Sequence, residues 1–355
     1  MPAPSDAGGG AEDMANASAR SNSVTVENQD VALLKSTTVG RGPISDIAVD
    51  GHTVVTTNFG DDSIAVLDSD TLAEHGGVFA GQPTTVAVVG DRAFAAVSSA
   101  SYDAIAVIDT VSGEVVREYP LSFKVTAVVT SADGKRVYAG RTGEEGVDVA
   151  VVDVTAERVG TIYVAKAADA TIDAMCLDTT GRRLYVGVTD SRSSRLITVD
   201  VETSRVRRTL EVGAPIRGLA LGMEGVAYVL TSDIADGGVL YVVDLVNNKI
   251  TADVAVAAAP TQLVLSADGT RAYVVDYDHV AVVDTDKRAV VAEVSVGARP
   301  SAIALGSDRL YVADYDGGVT VYTVAASTPM LYSQFASTLA STLAVPAPRE
   351  LQPAV

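Results

Sequence analysis

Hydrophobic positions in this chain gather in short runs, and the same run returns at regular intervals. A segment of the Val-x-Val-hydrophobic-Asp kind occurs six times: Ile64-Ala-Val-Leu-Asp68, Ile105-Ala-Val-Ile-Asp109, Val149-Ala-Val-Val-Asp153, Leu196-Ile-Thr-Val-Asp200, Leu240-Tyr-Val-Val-Asp244 and Val280-Ala-Val-Val-Asp284. Successive aspartates are 41, 44, 47, 44 and 40 residues apart. A seventh copy, Val319-Thr-Val-Tyr-Thr323, follows 39 residues later with Thr in place of Asp. Runs this short, rich in β-branched residues and bounded by turn residues, predict strands.

Each copy is preceded by two more apolar segments. One carries Val54-Val55, Ala93-Phe94, Val137-Tyr138, Leu184-Tyr185, Ala227-Tyr228, Ala272-Tyr273 or Leu310-Tyr311. Before it comes a run such as Ile44–Val49, Thr85–Val89, Thr126–Thr130, Ile216–Leu221, Gln262–Leu265 or Ser301–Leu305. Gly beside Asp separates the two at Asp50-Gly51, Gly90-Asp91, Asp133-Gly134 and Asp268-Gly269, the chemistry of a tight hairpin. After the Asp a fourth strand follows, as at Val115–Tyr119, Val206–Val212, Ile250–Val256 and Val290–Val296. Four antiparallel strands in about 41 residues, seven times over, predict an all-β, seven-bladed β-propeller forming one domain over residues 23–327. Val31–Val39 reads as the missing fourth strand of the last blade, so the ring is expected to close through the N-terminal strand and lose its free edges. Both Val24–Glu27 and Val319–Val324 fit the third strand of that blade, and an extra strand at Val24–Glu27 stays open.

The repeats Leu184-Tyr-Val-Gly, Ala272-Tyr-Val-Val and Ile105-Ala-Val-Ile-Asp-Thr-Val-Ser-Gly113, with Val-Gly-x-x-Pro at Val39–Pro43 and Val296–Pro300, resemble the YVTN repeat family. The resemblance covers all but the ends of the chain. It implies a seven-bladed propeller, often exported or surface-associated, and it implies no particular activity.

Composition narrows the chemistry. The chain has 355 residues, 48% of them hydrophobic, and 58 are Val. Cys176 is its only cysteine and His52, His75 and His279 its only histidines, which disfavours disulfide frameworks and Cys- or His-rich metal centres, so no metal is expected. Trp is absent, so the chain lacks the residue that marks Trp-Asp repeats and quinoprotein-dehydrogenase blades, and no cofactor is expected. The net charge of −19 would repel a phosphate backbone, so nucleic acid is not expected as a partner. The 20 Arg to 6 Lys, with abundant Ala and Val, suggest a GC-rich bacterium such as an actinobacterium. Residues 1–22 read as a disordered tail, and 328–355 as a tail whose Leu331, Phe335, Leu339 and Leu343 form a short helical stripe. No secretory signal and no membrane span are read, giving a cytoplasmic expectation against the exported habit that the resemblance implies. A monomer is expected.

Two sets of residues are candidates for chemistry. The repeated Asp residues are spread around the ring, so they are expected to accept backbone N–H groups in the turns they start, not to converge on a substrate. The loop between second and third strands is more telling. Its first positions are Asn58-Phe59, Asp276-Tyr277 and Asp314-Tyr315 in repeats one, six and seven, and closure makes those repeats neighbours. On the same face the loops entering the innermost strands offer Arg41, Arg299 and Gln262. Rigidly presented Tyr and Arg are favoured recognition anchors. The sector therefore predicts a non-enzymatic binding or scaffold protein that takes a protein or peptide partner. The alternative is a lactonase-like propeller hydrolase or lyase acting on a small molecule at the channel mouth, for which Asp276, Asp278, Asp314 and His279 are the convergent groups.

Overall fold

The computed structural model describes residues 31–99, 102–122, 124–235, 237–297 and 299–324. The expected tails 1–22 and 328–355, and the strand candidate Val24–Glu27, lie outside the described residues. The described residues fold into seven four-stranded antiparallel sheets, the blades of a propeller. Strand β1 is Val31–Thr38. Blade 1 is β2–β5 (Ile44–Asp50, Thr53–Asn58, Ser63–Asp68, Glu74–Phe79) and blade 2 is β6–β9 (Gln82–Val89, Arg92–Ser98, Asp103–Asp109, Glu114–Leu121). Blade 3 is β10–β13 (Lys124–Thr130, Arg136–Thr142, Val147–Asp153, Arg158–Ala165) and blade 4 is β14–β17 (Thr171–Leu177, Arg183–Thr189, Ser194–Asp200, Arg205–Gly213). Blade 5 is β18–β21 (Ile216–Leu221, Val226–Asp233, Gly237–Asp244, Lys249–Ala257) and blade 6 is β22–β25 (Gln262–Leu265, Arg271–Val275, His279–Asp284, Ala289–Ser295). Blade 7 takes β26–β28 (Pro300–Leu305, Arg309–Asp314, Gly318–Val324) and completes itself with β1, in the order β1-β28-β27-β26. Val31 pairs with Val324 and Thr38 with Gly318, so the N-terminal strand supplies the fourth strand as expected and Val319–Val324 lies in the third.

The core lies between blades, not within them. Ile44, Val54, Ala65 and Leu67 of blade 1 pack on Ala302, Tyr311, Val319 and Val321 of blade 7, while Val55, Ile64 and Val66 pack on Val86, Ala95 and Ala106 of blade 2. The two middle strands are thus buried on both faces, which is why Ile64-Ala-Val-Leu67 is apolar throughout instead of alternating. Outer strands meet water: most of Arg205–Gly213 is exposed.

Asp68, Asp109, Asp153, Asp200, Asp244 and Asp284 all accept backbone N–H groups two or three residues on, for example from Thr71 at 2.7 Å and Ala156 at 2.8 Å. The fourth residue after each has positive φ: Leu72, Gly113, Glu157, Ser204, Asn248 and Arg288. One hairpin geometry is therefore repeated six times, with glycine at the positive-φ position once and, in the other five copies, a residue with a side chain there in a turn whose backbone N–H groups the carboxylate satisfies. Hydrogen bonds from Thr203, with Arg207 nearby, hold the Asp200 carboxyl down to about 2.

The innermost strands carry a feature the repeat pattern did not announce. Register slips between Ile44 and Asp46, Pro83 and Thr85, Val125 and Ala127, Ile172 and Ala174, Ile216 and Gly218, and Pro300 and Ala302. The extra residue is polar each time: Ser45, Thr84, Thr126, Asp173, Arg217 and Ser301. A bulged residue is released from the ladder and re-aims its side chain. Ser45 Oγ donates to Pro83 O of the next blade at 3.0 Å, and Thr126 Oγ1 donates to Ile172 O at 2.7 Å, so the bulges also stitch neighbouring blades.

Closure is tightest where residues 39–43 cross from β1 to β2. A Cβ on Gly60 would lie 2.4 Å from Arg41 O and 2.8 Å from the Gly42 Cα. Both are backbone atoms that cannot swing away. Gly60→Ala is expected to lower stability by about 1–3 kcal/mol, the usual range for overpacking, in urea unfolding followed by circular dichroism. An unchanged midpoint would show that this crossing yields easily.

Candidate functional site

In each blade the first-to-second and third-to-fourth strand turns share one end, called the lower face here. The second-to-third strand loops and the links between blades share the other, the upper face. The loop position singled out in the sequence is one structural position in all seven blades: Asn58, Val97, Arg141, Val188, Thr231, Asp276 and Asp314. It points inward. Asn58 is wholly buried and donates Nδ2 to Val39 O at 3.3 Å and to Ser63 Oγ at 3.2 Å. Asp276 is 5% exposed and accepts the N–H groups of Ala258 and Ala259 at 3.2 and 2.8 Å. Asp314 accepts from Asp316 N and Gly318 N in its own turn. Two of these three groups therefore clamp the link between blades, and the third caps its loop.

The next residue points outward. Phe59, Tyr277 and Tyr315 are 43%, 62% and 46% exposed. Arg299 lies between the two tyrosines, its Cζ 4.8 Å from the Tyr277 ring centre and 5.1 Å from that of Tyr315, within cation–π range of both. Its carbonyl accepts the Tyr315 N–H at 3.0 Å, which fixes the backbone under the stack. Arg41 is exposed and donates its backbone N–H to Asp61 Oδ2 at 3.0 Å. His279 starts β24, is half-buried, and has Nδ1 2.8 Å from Asp278 and Nε2 3.9 Å from Asp276.

Gln262 is not on this surface. It occupies the same inner-strand position as Asp46, and both line the central channel. Gln262 Oε1 accepts the Ile303 N–H at 2.5 Å, and its Nε2 donates to Asp46 Oδ1 at 3.2 Å. Asp46 Oδ2 accepts Thr85 Oγ1 at 2.7 Å and Val86 N at 3.0 Å. One hydrogen-bonded chain thus runs through blades 6, 7, 1 and 2. Burial lifts the Asp46 carboxyl above its ordinary range, against the pull of these donors. Among the described residues no group of three or more His, Cys, Asp or Glu is placed to hold a metal ion. Cys176 is half-buried, donates to Leu219 O at 2.9 Å, and has its thiol pushed up to about 12 by desolvation.

Sequence reasoning missed three further aromatics. Phe79, Tyr102 and Tyr163 are 84%, 45% and 81% exposed, and all three lie at the upper end of their blades. With Phe59, Tyr277 and Tyr315 they are the strongly exposed aromatic side chains among the described residues, and the lower face carries none of them. It also missed two clefts on the upper side of blades 3 and 4. One, of about 800 Å³, surrounds Arg141, Asp148, Glu144, Glu145 and Tyr163; the other, of about 490 Å³, lies between Lys166, Asp169, Arg192 and Glu211. No signal in the repeat marks Phe79 or Tyr163, which stand on outer strands whose exposure depends on the neighbouring blade.

No family model matches the chain. It is 30% identical over 327 residues to the seven-bladed beta-propeller protein Rv1057 of Mycobacterium tuberculosis, covering 81% of this chain and 83% of that one. It is 48% identical over 301 residues to a seven-bladed beta-propeller protein of Mycolicibacterium smegmatis, covering 83% and 82%. Among solved structures it resembles the hydrazine synthase of Kuenenia stuttgartiensis with a TM-score of 0.71, covering 82% of this chain and 98% of that one; at 17% identity the likeness is one of fold alone. Seven blades of four strands, a ring closed by the N-terminal strand and similarity over about four-fifths of these mycobacterial proteins place the chain in one family: it belongs to the seven-bladed β-propeller proteins.

Proposed function

We propose that this is a non-enzymatic binding or scaffold propeller built on YVTN-type repeats, presenting its upper face to a protein or peptide partner. The observation that carries the reading is the one-sided distribution of exposed aromatic rings, centred on the Tyr277–Arg299–Tyr315 stack. Exposed Tyr and Arg held on a rigid frame lose little entropy on docking, which is why they anchor interfaces. A lactonase-like hydrolase or lyase needs an acid–base pair or metal at the channel mouth. The binding reading is favoured over it because Asp46 and Gln262, which line the channel, engage blades 7 and 2 and each other. A ring closed on itself also suits a protein that works as a monomer. Among the described residues no helix is long and apolar enough to cross a membrane.

Tyr277→Ala/Tyr315→Ala tests the reading. Both rings are more than two-fifths exposed, so the melting temperature is expected to stay within about 2 °C of the parent, as for most surface substitutions. Recovery of specific partners from a lysate of the source cell is expected to fall about tenfold or more. Identical recovery by the parent and the variant would remove the stack as the binding site.

A further inference from the structure

We propose that the ring-bearing loops of blades 6, 7 and 1 take a basic peptide segment, with an Arg or Lys side chain lodged between Tyr315 and Phe59. The inference rests on the upper face being the binding face. Its starting point is Arg299, through which the protein itself shows that two successive loops hold a guanidinium between their rings.

One blade further on the arrangement repeats with one difference. Tyr315 N–H donates to Arg299 O at 3.0 Å, and Phe59 N–H donates to Pro43 O at 3.1 Å. Pro43 therefore stands in blade 1 where Arg299 stands in blade 7. The rings are present at both steps, but the cation is supplied from within at only one. Arg41, two residues before Pro43, donates its backbone N–H to Asp61, and among the described residues its guanidinium does not stack on Tyr315 or Phe59 as Arg299 does on its two rings.

Charge points the same way. Each of these loops carries an exposed carboxylate within three residues of its ring: Asp278, which also meets His279 Nδ1 at 2.8 Å, follows Tyr277, Asp316 follows Tyr315, and Asp62 lies three residues after Phe59. With Asp61, Asp276 and Asp314 the three loops hold six carboxylates against the two guanidiniums of Arg41 and Arg299. An acidic segment or a phosphate backbone would meet net repulsion here, on a chain that already carries −19. A neutral apolar segment would cover carboxylates without pairing them. A cationic side chain satisfies both the ring faces and the acids around them.

Panning a library of short random phage-displayed peptides on the full chain tests this. Selected peptides are then measured by fluorescence anisotropy against three variants. Tyr315→Leu/Phe59→Leu keeps apolar bulk and removes the π faces. Asp62→Asn/Asp278→Asn/Asp316→Asn removes three charges from the sector. Glu114→Gln/Glu202→Gln/Asp286→Asn removes three from exposed lower-face positions as a control for net charge. The selected peptides are expected to carry Arg or Lys. Their affinity should drop about tenfold or more in the first two variants and stay within about twofold in the control. Neutral or acidic peptides that still require the rings, or basic ones weakened equally by the control, would overturn the cation assignment and leave the binding face standing. Peptides indifferent to Phe59, Tyr277 and Tyr315, or no selectable peptide at all, would overturn both.

Discussion

A chain truncated to start at Val39 should melt at least about 10 °C below one truncated to start at Val31, which keeps β1 and serves as the control for the preceding residues. β1 forms seven register pairs with β28, and removing it opens the edge of the seventh blade. At about 1 kcal/mol net per hydrogen bond the loss is several kcal/mol, and a few degrees of melting temperature accompany each kcal/mol in a large domain. The bare β28 edge would also be free to pair with another copy, so the truncated chain should elute from a sizing column as larger species. A melting temperature within about 2 °C of the control would mean that the ring is held by the contact of β26 with β2, without need of the fourth strand.

Asp148→Ala is expected to cost about 3–5 kcal/mol, because it strands a charge in the upper wall of blade 3. Arg141 and Asp148 have side chains 8% and 13% exposed and meet at 2.7 Å, and Arg141 also donates to Ser122 O at 3.3 Å and Thr161 Oγ1 at 3.2 Å. Blade 2 shows how the same place is filled without charge, since Val97 faces Ala104 where Arg141 faces Asp148. The double variant Arg141→Val/Asp148→Ala reproduces that pair and should recover most of the loss. Urea unfolding of the parent, the single variant and the double variant checks both statements. A double variant no more stable than Asp148→Ala alone would mean that the cleft requires the ion pair for packing, not merely for charge balance.

Much of the candidate site could be read from the chain because the repeat made it an alignment problem. Once seven copies were in register, Phe59, Tyr277 and Tyr315 stood out as aromatic where the other four copies are not, and closure made them neighbours. Their flanking Asn58, Asp276 and Asp314 stood out equally, yet two of them clamp a blade link and the third caps its turn. One-residue steps along a strand change the face of the sheet, and a loop has no such periodicity to announce which side chain turns inward. Gln262 shows the same limit. It adjoins the upper loops in sequence, yet its side chain reaches Asp46 across the channel instead of joining those loops.

The sequence by itself determined the architecture. A strand buried on both faces must be apolar throughout, a turn whose carboxylate replaces backbone partners must carry Asp at a fixed offset, and seven repetitions of both leave few alternatives to a propeller. Closure by β1 followed from counting strands. Tertiary structure alone decided which groups converge. The Arg299 stack, the Asp46–Gln262 link across four blades, the buried Arg141–Asp148 pair and the gathering of six aromatics on one face all join residues from different strands, and most join different blades. Their distances are set by how blades pack against one another, a quantity that no local pattern along the chain encodes.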